Sequence, residues 1–405
     1  MKSLGEHEKI GNLCRLNVAS YSLNENWEEF YYLDTGNITE NVVSDIQHIV
    51  PAEGNSLPSR ARRLVKEGDI LFSTVRPNQR HYGYIKNVIP HFLVSTGFCV
   101  ISPKENVDGK YIYYFLTQAD VIDKLQAIAE QSTSTYPSVR AEDIANLQIN
   151  IPSLEEQQKI SSILSSLDDK IEVNNQINRN LEEQAKAVFK SWFVDFEQFG
   201  GEPPDDWKDG TIADLGKVTG GGTPSKAKEE YYCQNGIPWI TPKDLSINKS
   251  KFISRGQTDI SDVGLSNSSA IVMPKGTVLF SSRAPIGYIA IAKNEVTTNQ
   301  GFKSVVPHPH IGTPFVYLFL KHNLEKIESV ASGSTFKEVS GGVMKSIPAL
   351  IPDNNSLSKF TAQCQPLFQK QEALEAENNI LQETRDTLLP KLMSDEILYS
   401  EETNV

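Results

Sequence analysis

Two stretches of this chain, QSTSTYPSVRAEDIANLQINIP (131–152) and ASGSTFKEVSGGVMKSIPALIP (331–352), carry the same polar loop and the same terminal Ile-Pro 200 residues apart. Ser132, Ser134, Thr135, Ile151 and Pro152 recur as Ser332, Ser334, Thr335, Ile351 and Pro352, and Tyr136 becomes Phe336. The repeat extends upstream. EGDILFSTVRP (67–77) answers KGTVLFSSRAP (275–285), STGFCVISP around Gly97 answers TNQGFKSVVP around Gly301, and YYFL ending at Leu116 answers YLFL ending at Leu320. The offset shrinks from 208 to 200 along the unit, as when loops between buried elements gain and lose residues. Four blocks in register mean duplication. The chain must fold as two copies of one unit, and 405 residues give each copy room for its own core.

Within a copy the local signals are mixed. DILFST and TVLFSS are short apolar runs behind a glycine and read as buried strands. DGKYIYYFLTQADVIDKLQAIA has helical spacing with Asp108 as N-cap, and its counterpart starts at Thr313-Pro314, an N-cap followed by Pro in the first turn. After each copy the pattern turns into one long helix. Ser153-Leu154-Glu155-Glu156 is a capping box, in which Ser and Glu each satisfy an orphan N–H, and Asp353 is a good N-cap.

Spacing of 4,3,4,3 then selects Ile160, Leu164, Leu167, Ile171, Asn174, Asn178, Leu181, Ala185, Val188 and Trp192. In the second helix it selects Phe360, Cys364, Leu367, Gln371, Leu374, Asn378, Leu381, Arg385 and Leu388. These are coiled-coil seams, whose polar members Asn178 and Asn378 fix register. Each helix of about 40 residues spans roughly 60 Å. FGGEPPDDW (199–207) ends the first one. The second copy must begin where the first helix ends, so the chain returns along that helix. The expected fold is α+β: two tandem α/β units separated by two long helices forming an antiparallel coiled coil, a pseudo-two-fold internal repeat. The expected boundaries are 1–152, a helix over 153–200, 201–352, a helix over 353–400, and a tail 401–405.

Hydrophobic content of 39% and charged content of 22% suit a soluble globular chain. No apolar run is long enough for a membrane helix, and MKSLGEHEKI is no secretory signal. Cys14, Cys99, Cys233 and Cys364 show no CxxC spacing, which points to a reducing, cytoplasmic setting without a zinc site. The formal charge of −12 argues against nucleic acid until it is divided by segment. The two helical segments carry −4 and −6, the two α/β units −4 and +2, so local basic patches remain open. Catalytic patterns are missing. TGGGTPSK (219–226) has the wrong glycine spacing for a P-loop, and there is no H-E-x-x-H, no G-x-S-x-G and no Asn-Pro-Pro-aromatic tetrapeptide. The chain reads as a non-enzyme.

GGTPSKAKEEYYCQNGIPWITPKDL (221–245), LEEQQKISSILSSLDDKIEVNNQIN (154–178), LEEQAKAVFKSWFVDF (181–196) and RDTLLPKLMSDEI (385–397) resemble the specificity subunit of type I restriction–modification systems. The resemblance covers nearly the whole chain and is weakest over 1–66, where YLDTGNIT (32–39) only loosely echoes WITPKDL. It implies that each α/β unit is a target-recognition domain for one half of a split, asymmetric double-stranded DNA site. It implies that the helices set the gap and dock two methyltransferase subunits, with restriction/motor subunits joining for cleavage. S-adenosylmethionine, ATP and Mg are then expected on those partners and no cofactor on this chain. A stand-alone DNA-binding regulator built from the same units, or a coiled-coil scaffold, are the alternatives.

Side chains able to read DNA cluster beside the repeated strand. Arg76, Asn78, Gln79 and Arg80 share one loop, where Arg suits guanine O6/N7 and Asn or Gln suits adenine N6/N7. Arg60, Arg62 and Arg63 suit phosphates. In the second copy the candidates are Lys226, Lys243, Arg283, Lys303 and Lys337, with Gly220–Gly222 as a place for close backbone approach. The repeated loops add Ser134, Thr135, Tyr136 and Thr335, as phosphate contacts or as shared framework. The expected spacer seam runs through Leu164, Leu167, Ile171, Asn178, Leu181, Leu367, Leu374, Asn378 and Leu381.

Overall fold

The computed structural model describes residues 6–22, 25, 27–54, 56–132, 136–333 and 337–394. It divides into two units, residues 1–171 with 380–405 and residues 172–379. Each unit thus takes one α/β part and a share of both long helices, Leu154–Phe193 and Asn354–Met393, which are 40 residues each.

In unit one, Glu6–Lys9 pairs antiparallel with Gln148–Ile151, tying the start of the unit to the strand that precedes the first long helix. One four-stranded sheet runs Cys14–Leu16, Phe98–Pro103, Ile70–Ser73, Tyr82–Tyr84. A second runs Gln47–Ile49, Phe30–Leu33, Phe92–Ser95, Ala61–Arg63, with its two middle strands parallel. All four residues of Ile70–Ser73 are buried, as a continuous apolar run requires. Asp108 caps its helix by accepting from the Tyr111 amide at 2.7 Å. The expected single helix is broken, however: Gly109–Thr117 stops at the extended Gln118, and Ala119–Glu130 restarts the turn at a new angle. Ile160 and Leu164 of the first long helix and Leu389, Leu392 and Met393 of the second enter the same core as Tyr111, Ile112 and Leu116. Each such buried side chain stabilises by about 1.5–3 kcal/mol.

Unit two repeats the plan. Lys208–Thr211 pairs with Pro348–Ile351. The sheet around Val278–Ser282 runs Gly216–Gly220, Lys303–Pro307, Val278–Ser282, Ile286–Ala292, Phe252–Ile253. The loose echo between YLDTGNIT and WITPKDL is a structural equivalence. Tyr32 pairs in parallel with Leu93 as Trp239 pairs in parallel with Thr297, and both strands run into a capped turn, at Asp34 and Thr241. Gly312, rather than Thr313, is the N-cap of Thr313–His322, because the Thr313 hydroxyl is spent on the Gly276 carbonyl at 2.8 Å. The linker is anchored: Trp207 is buried, and its indole donates to Asp353 at 3.0 Å, on the residue that caps the second long helix.

The helices are antiparallel within unit two: the Asn174 side chain donates to that of Asn378 at 2.9 Å, and four residues further along the Asn178 backbone carbonyl accepts from the Gln371 side chain at 3.1 Å, so Asn174 rather than Asn178 is the polar partner of Asn378. Leu164, Ile171, Leu374 and Asn378 are buried, while Leu167, Asn178, Leu181, Leu367 and Leu381 are half-buried. The stripe drifts off strict heptad spacing, burying Phe189 beside Val188 and Phe368 beside Leu367. A straight helix repeats every 3.6 residues, and these helices must cover the α/β core as well as each other. Among the described residues no helix is long and apolar enough to cross a membrane, and no three His, Cys, Asp or Glu are placed to hold a metal.

Candidate nucleic-acid interface

In both units the central strand ends in the same hydrogen-bonded junction. Thr74 gives its amide and hydroxyl to the Gly97 carbonyl, each at 2.9 Å, and Ser282 does the same to Gly301 at 2.7 and 3.1 Å. Val139 then donates to the Thr74 carbonyl at 2.8 Å, as Val339 does to Ser282 at 3.0 Å. The downstream half of the repeated loop is therefore stapled to the strand end, at bridges Val75–Ser138 and Arg283–Glu338. This gives the repetition a framework reason. Ser134, Thr135 and Thr335 lie outside the described residues, so their role is carried by neither structure nor geometry.

What stands on the junction differs between units. In unit one the chain turns through Arg76, held at φ +48° with its amide on the Pro137 carbonyl at 2.9 Å. Its guanidinium lies 5.2 Å from the ring centre of Tyr136, which is 58% exposed, so two candidates 60 positions apart form one cation–π pair. Asn78 and Gln79 are exposed on the short turn Pro77–Gln79. Arg80, also left-handed at φ +56°, is half-buried and paired with Glu40 at 3.0 Å, so its charge is already partly answered. The RARR run divides at the start of its strand, Ala61–Arg63. Arg60 is exposed, Arg62 and Arg63 are half-buried, and the Arg63 Nε is buried. Asp34, which sequence reasoning did not single out, belongs to this surface. Burial opposes its ionisation, yet the Thr35 amide, Ser95, Tyr32 and Arg60 hold its carboxyl below the usual range.

In unit two, Glu338 sits between two cations, 3.4 Å from Arg283 and 3.3 Å from Lys303. The Lys303 ammonium also reaches the Gln300 carbonyl at 3.4 Å, and the Thr223 hydroxyl donates to the Gln300 side chain. Lys226, Lys243 and Lys337 are exposed. Gly221 and Gly222 serve the chain's own packing: a Cβ on Gly221 would fall 2.0 Å from the Asn299 carbonyl, and one on Gly222 2.3 Å from the Ala270 amide. Unit one thus offers an exposed guanidinium, Arg76, and unit two a half-buried one, Arg283, each beside amide side chains at a hydrogen-bonded strand end, a chemistry fitted to phosphates and base edges.

A sequence model of the type I restriction modification DNA specificity domain matches the chain twice, over residues 9–183 and 204–379. The HindI type I restriction enzyme specificity subunit of Haemophilus influenzae is 28% identical, with 96% of this chain and 98% of that protein covered. The MjaIX specificity subunit of Methanocaldococcus jannaschii is 40% identical over 42% of this chain and 40% of its own length. Among solved structures, the type I restriction–modification S subunit from M. genitalium aligns over 97% of both chains at 18% identity with a TM-score of 0.57, a likeness of fold.

Proposed function

Because the chain belongs to the type I restriction–modification DNA specificity family, with two copies of the domain, we propose that each unit binds one half of a bipartite, asymmetric DNA site. One observation carries this reading. The same strand-end junction is built twice and bears different side chains, Arg76 with Tyr136 in one unit and Arg283, Glu338 and Lys303 in the other. A shared scaffold with unlike readers suits two unlike half-sites. The chain itself is non-catalytic. The long helices set the distance between half-sites and dock two methyltransferase subunits, and restriction/motor subunits complete the nuclease. S-adenosylmethionine, ATP and Mg act on those partners.

Methylation sequencing of cells with and without the gene tests this. A split adenine-methylated motif should vanish with the gene, and an unchanged methylation pattern would sink the reading. Matched seven-residue insertions in both long helices should widen the gap in that motif, whereas an insertion in one helix should abolish methylation. Titration of the isolated chain with the motif should give weak binding that strengthens with the methyltransferase. Tight specific binding by the chain alone would favour a free-standing regulator.

A further inference from the structure

Strand register equates the two units residue by residue. Ser73 pairs with Phe98 as Ser281 bridges to Phe302, and Val75 bridges to Ser138 as Arg283 does to Glu338. It follows that Arg283 occupies the place of Val75, Gln300 that of Thr96, Lys303 that of Cys99, and Glu338 that of Ser138. Resting on the reading above, we propose that unit two reads base edges through Arg283 and Gln300, positioned by Glu338 and Lys303, at four backbone places that carry no bidentate group in unit one.

The geometry of the four residues supports separate roles. Gln300 is exposed, one residue before Gly301, whose carbonyl anchors the strand end, so its backbone cannot wander. Lys303 steadies that turn from below. Its side chain is only 16% exposed, and its ammonium is shared among the Gln300 carbonyl, the Ser282 hydroxyl at 3.5 Å and Glu338. The Thr223 hydroxyl donates to the Gln300 side chain, which ties the amide to the strand end and leaves its N–H pair to offer. Arg283 spends one N–H on Glu338 and retains the rest of its five donors. Such a fixed guanidinium suits guanine O6/N7, and a fixed amide suits adenine N6/N7. The Glu338 carboxylate also removes one of two positive charges, which lowers indiscriminate phosphate binding and leaves direction rather than charge.

Unit one has none of this at the same places. Val75 is apolar, Cys99 is fully buried, and Thr96 and Ser138 offer short hydroxyls without a bidentate face. Its guanidinium stands one residue later, at Arg76, stacked on Tyr136. The two half-sites are therefore read from different backbone positions, and reading residues cannot be transferred between units by sequence alignment.

The test is methylation sequencing with the full chain and its methyltransferase, comparing wild type, Arg283→Ala, Gln300→Ala, Glu338→Gln and Arg76→Ala. Gln300→Ala and Arg283→Ala should each relax one base pair of the same half-site, by about 5- to 150-fold in preference. Glu338→Gln is isosteric. It should relax that half while steepening the salt dependence of DNA binding by about one phosphate contact. Arg76→Ala should alter the other half alone. A purely structural ion cluster would lower the melting temperature of Glu338→Gln and leave the motif intact, which would overturn the assignment. So would variants that change both halves equally. If wild-type cells show no gene-dependent split motif, the underlying reading fails and this inference with it.

Discussion

Replacing Lys251 by Met should weaken unit two by about 2–3 kcal/mol, and the structure supplies the reasoning. The Lys251 ammonium is 6% exposed and lies 2.9 Å from Glu182 on the first long helix and 2.8 Å from Gln371 on the second. It also sits over the rings of Phe368 and Tyr317, at 3.2 and 4.4 Å from their centres. One side chain of the α/β part thereby fastens both helix segments of its unit. Removing one partner of a buried pair typically costs about 3–5 kcal/mol. Here Glu182 keeps Lys321 at 3.1 Å and the Tyr317 hydroxyl at 3.2 Å, the Met stem keeps the aromatic contacts, and the burial that disfavours the Lys251 charge is relieved, so the loss falls just below that range.

Three of the four tryptophans, Trp192, Trp207 and Trp239, lie in unit two, so urea unfolding followed by tryptophan fluorescence reports mainly on it. With a slope near 3 kcal/mol per molar, the midpoint should fall by roughly 0.7–1 M. Burial pushes Lys251 down to about 8 from 10.5, more than Glu182 restores, whereas two lysines hold Glu182 at about 2 against its own burial. The unfolded chain then keeps the Lys251 proton through the window from about 8 to 10.5 in which the folded one releases it. Wild-type stability should therefore gain from this residue as pH rises across that window, and Lys251→Met should lack the gain. A midpoint shift under about 0.2 M, or parallel pH curves for both proteins, would refute the argument.

Three further outcomes are expected. Cys14, Cys99 and Cys364 are buried, which pushes each thiol up to about 12, so a thiol reagent at pH 8 should label Cys233 in the native chain and the other three only in denaturant. Asn378→Leu should destabilise unit two by about 1–3 kcal/mol by taking from the fully buried Asn174 one of its two acceptors, Glu377 being the other, while Asn174→Leu with Asn378→Leu recovers part of that stability; equilibrium urea unfolding measures both. On the proposed function, Arg76→Ala should cost about 1–3 kcal/mol at one base pair if it reads an edge, whereas uniform weakening with a shallower salt slope would make it a phosphate contact.

Much of the architecture was legible because it is written in local or repeated signals. The duplication, the two 40-residue helices and the caps at Asp108, Ser153 and Asp353 each depend on residues within a few positions of one another, or on a second copy of the same words. The break at Gln118 was not legible, because two short helices and one long one share the same apolar period. The drift of the helical stripe was hidden for a similar reason: spacing along a helix does not say whether one neighbour or two will cover it.

The candidate interface divides along the same line. Sequence alone placed arginines and amides near the repeated strand, since composition and proximity along the chain suffice for that. Only the tertiary structure set Tyr136 beneath Arg76, neutralised Arg80 with Glu40, and put Glu338 between Arg283 and Lys303. Those partners come from segments 35 to 60 positions away, joined by strand register. Register is fixed by the burial of whole faces of a sheet, a property of the packed unit that no short stretch of the chain contains.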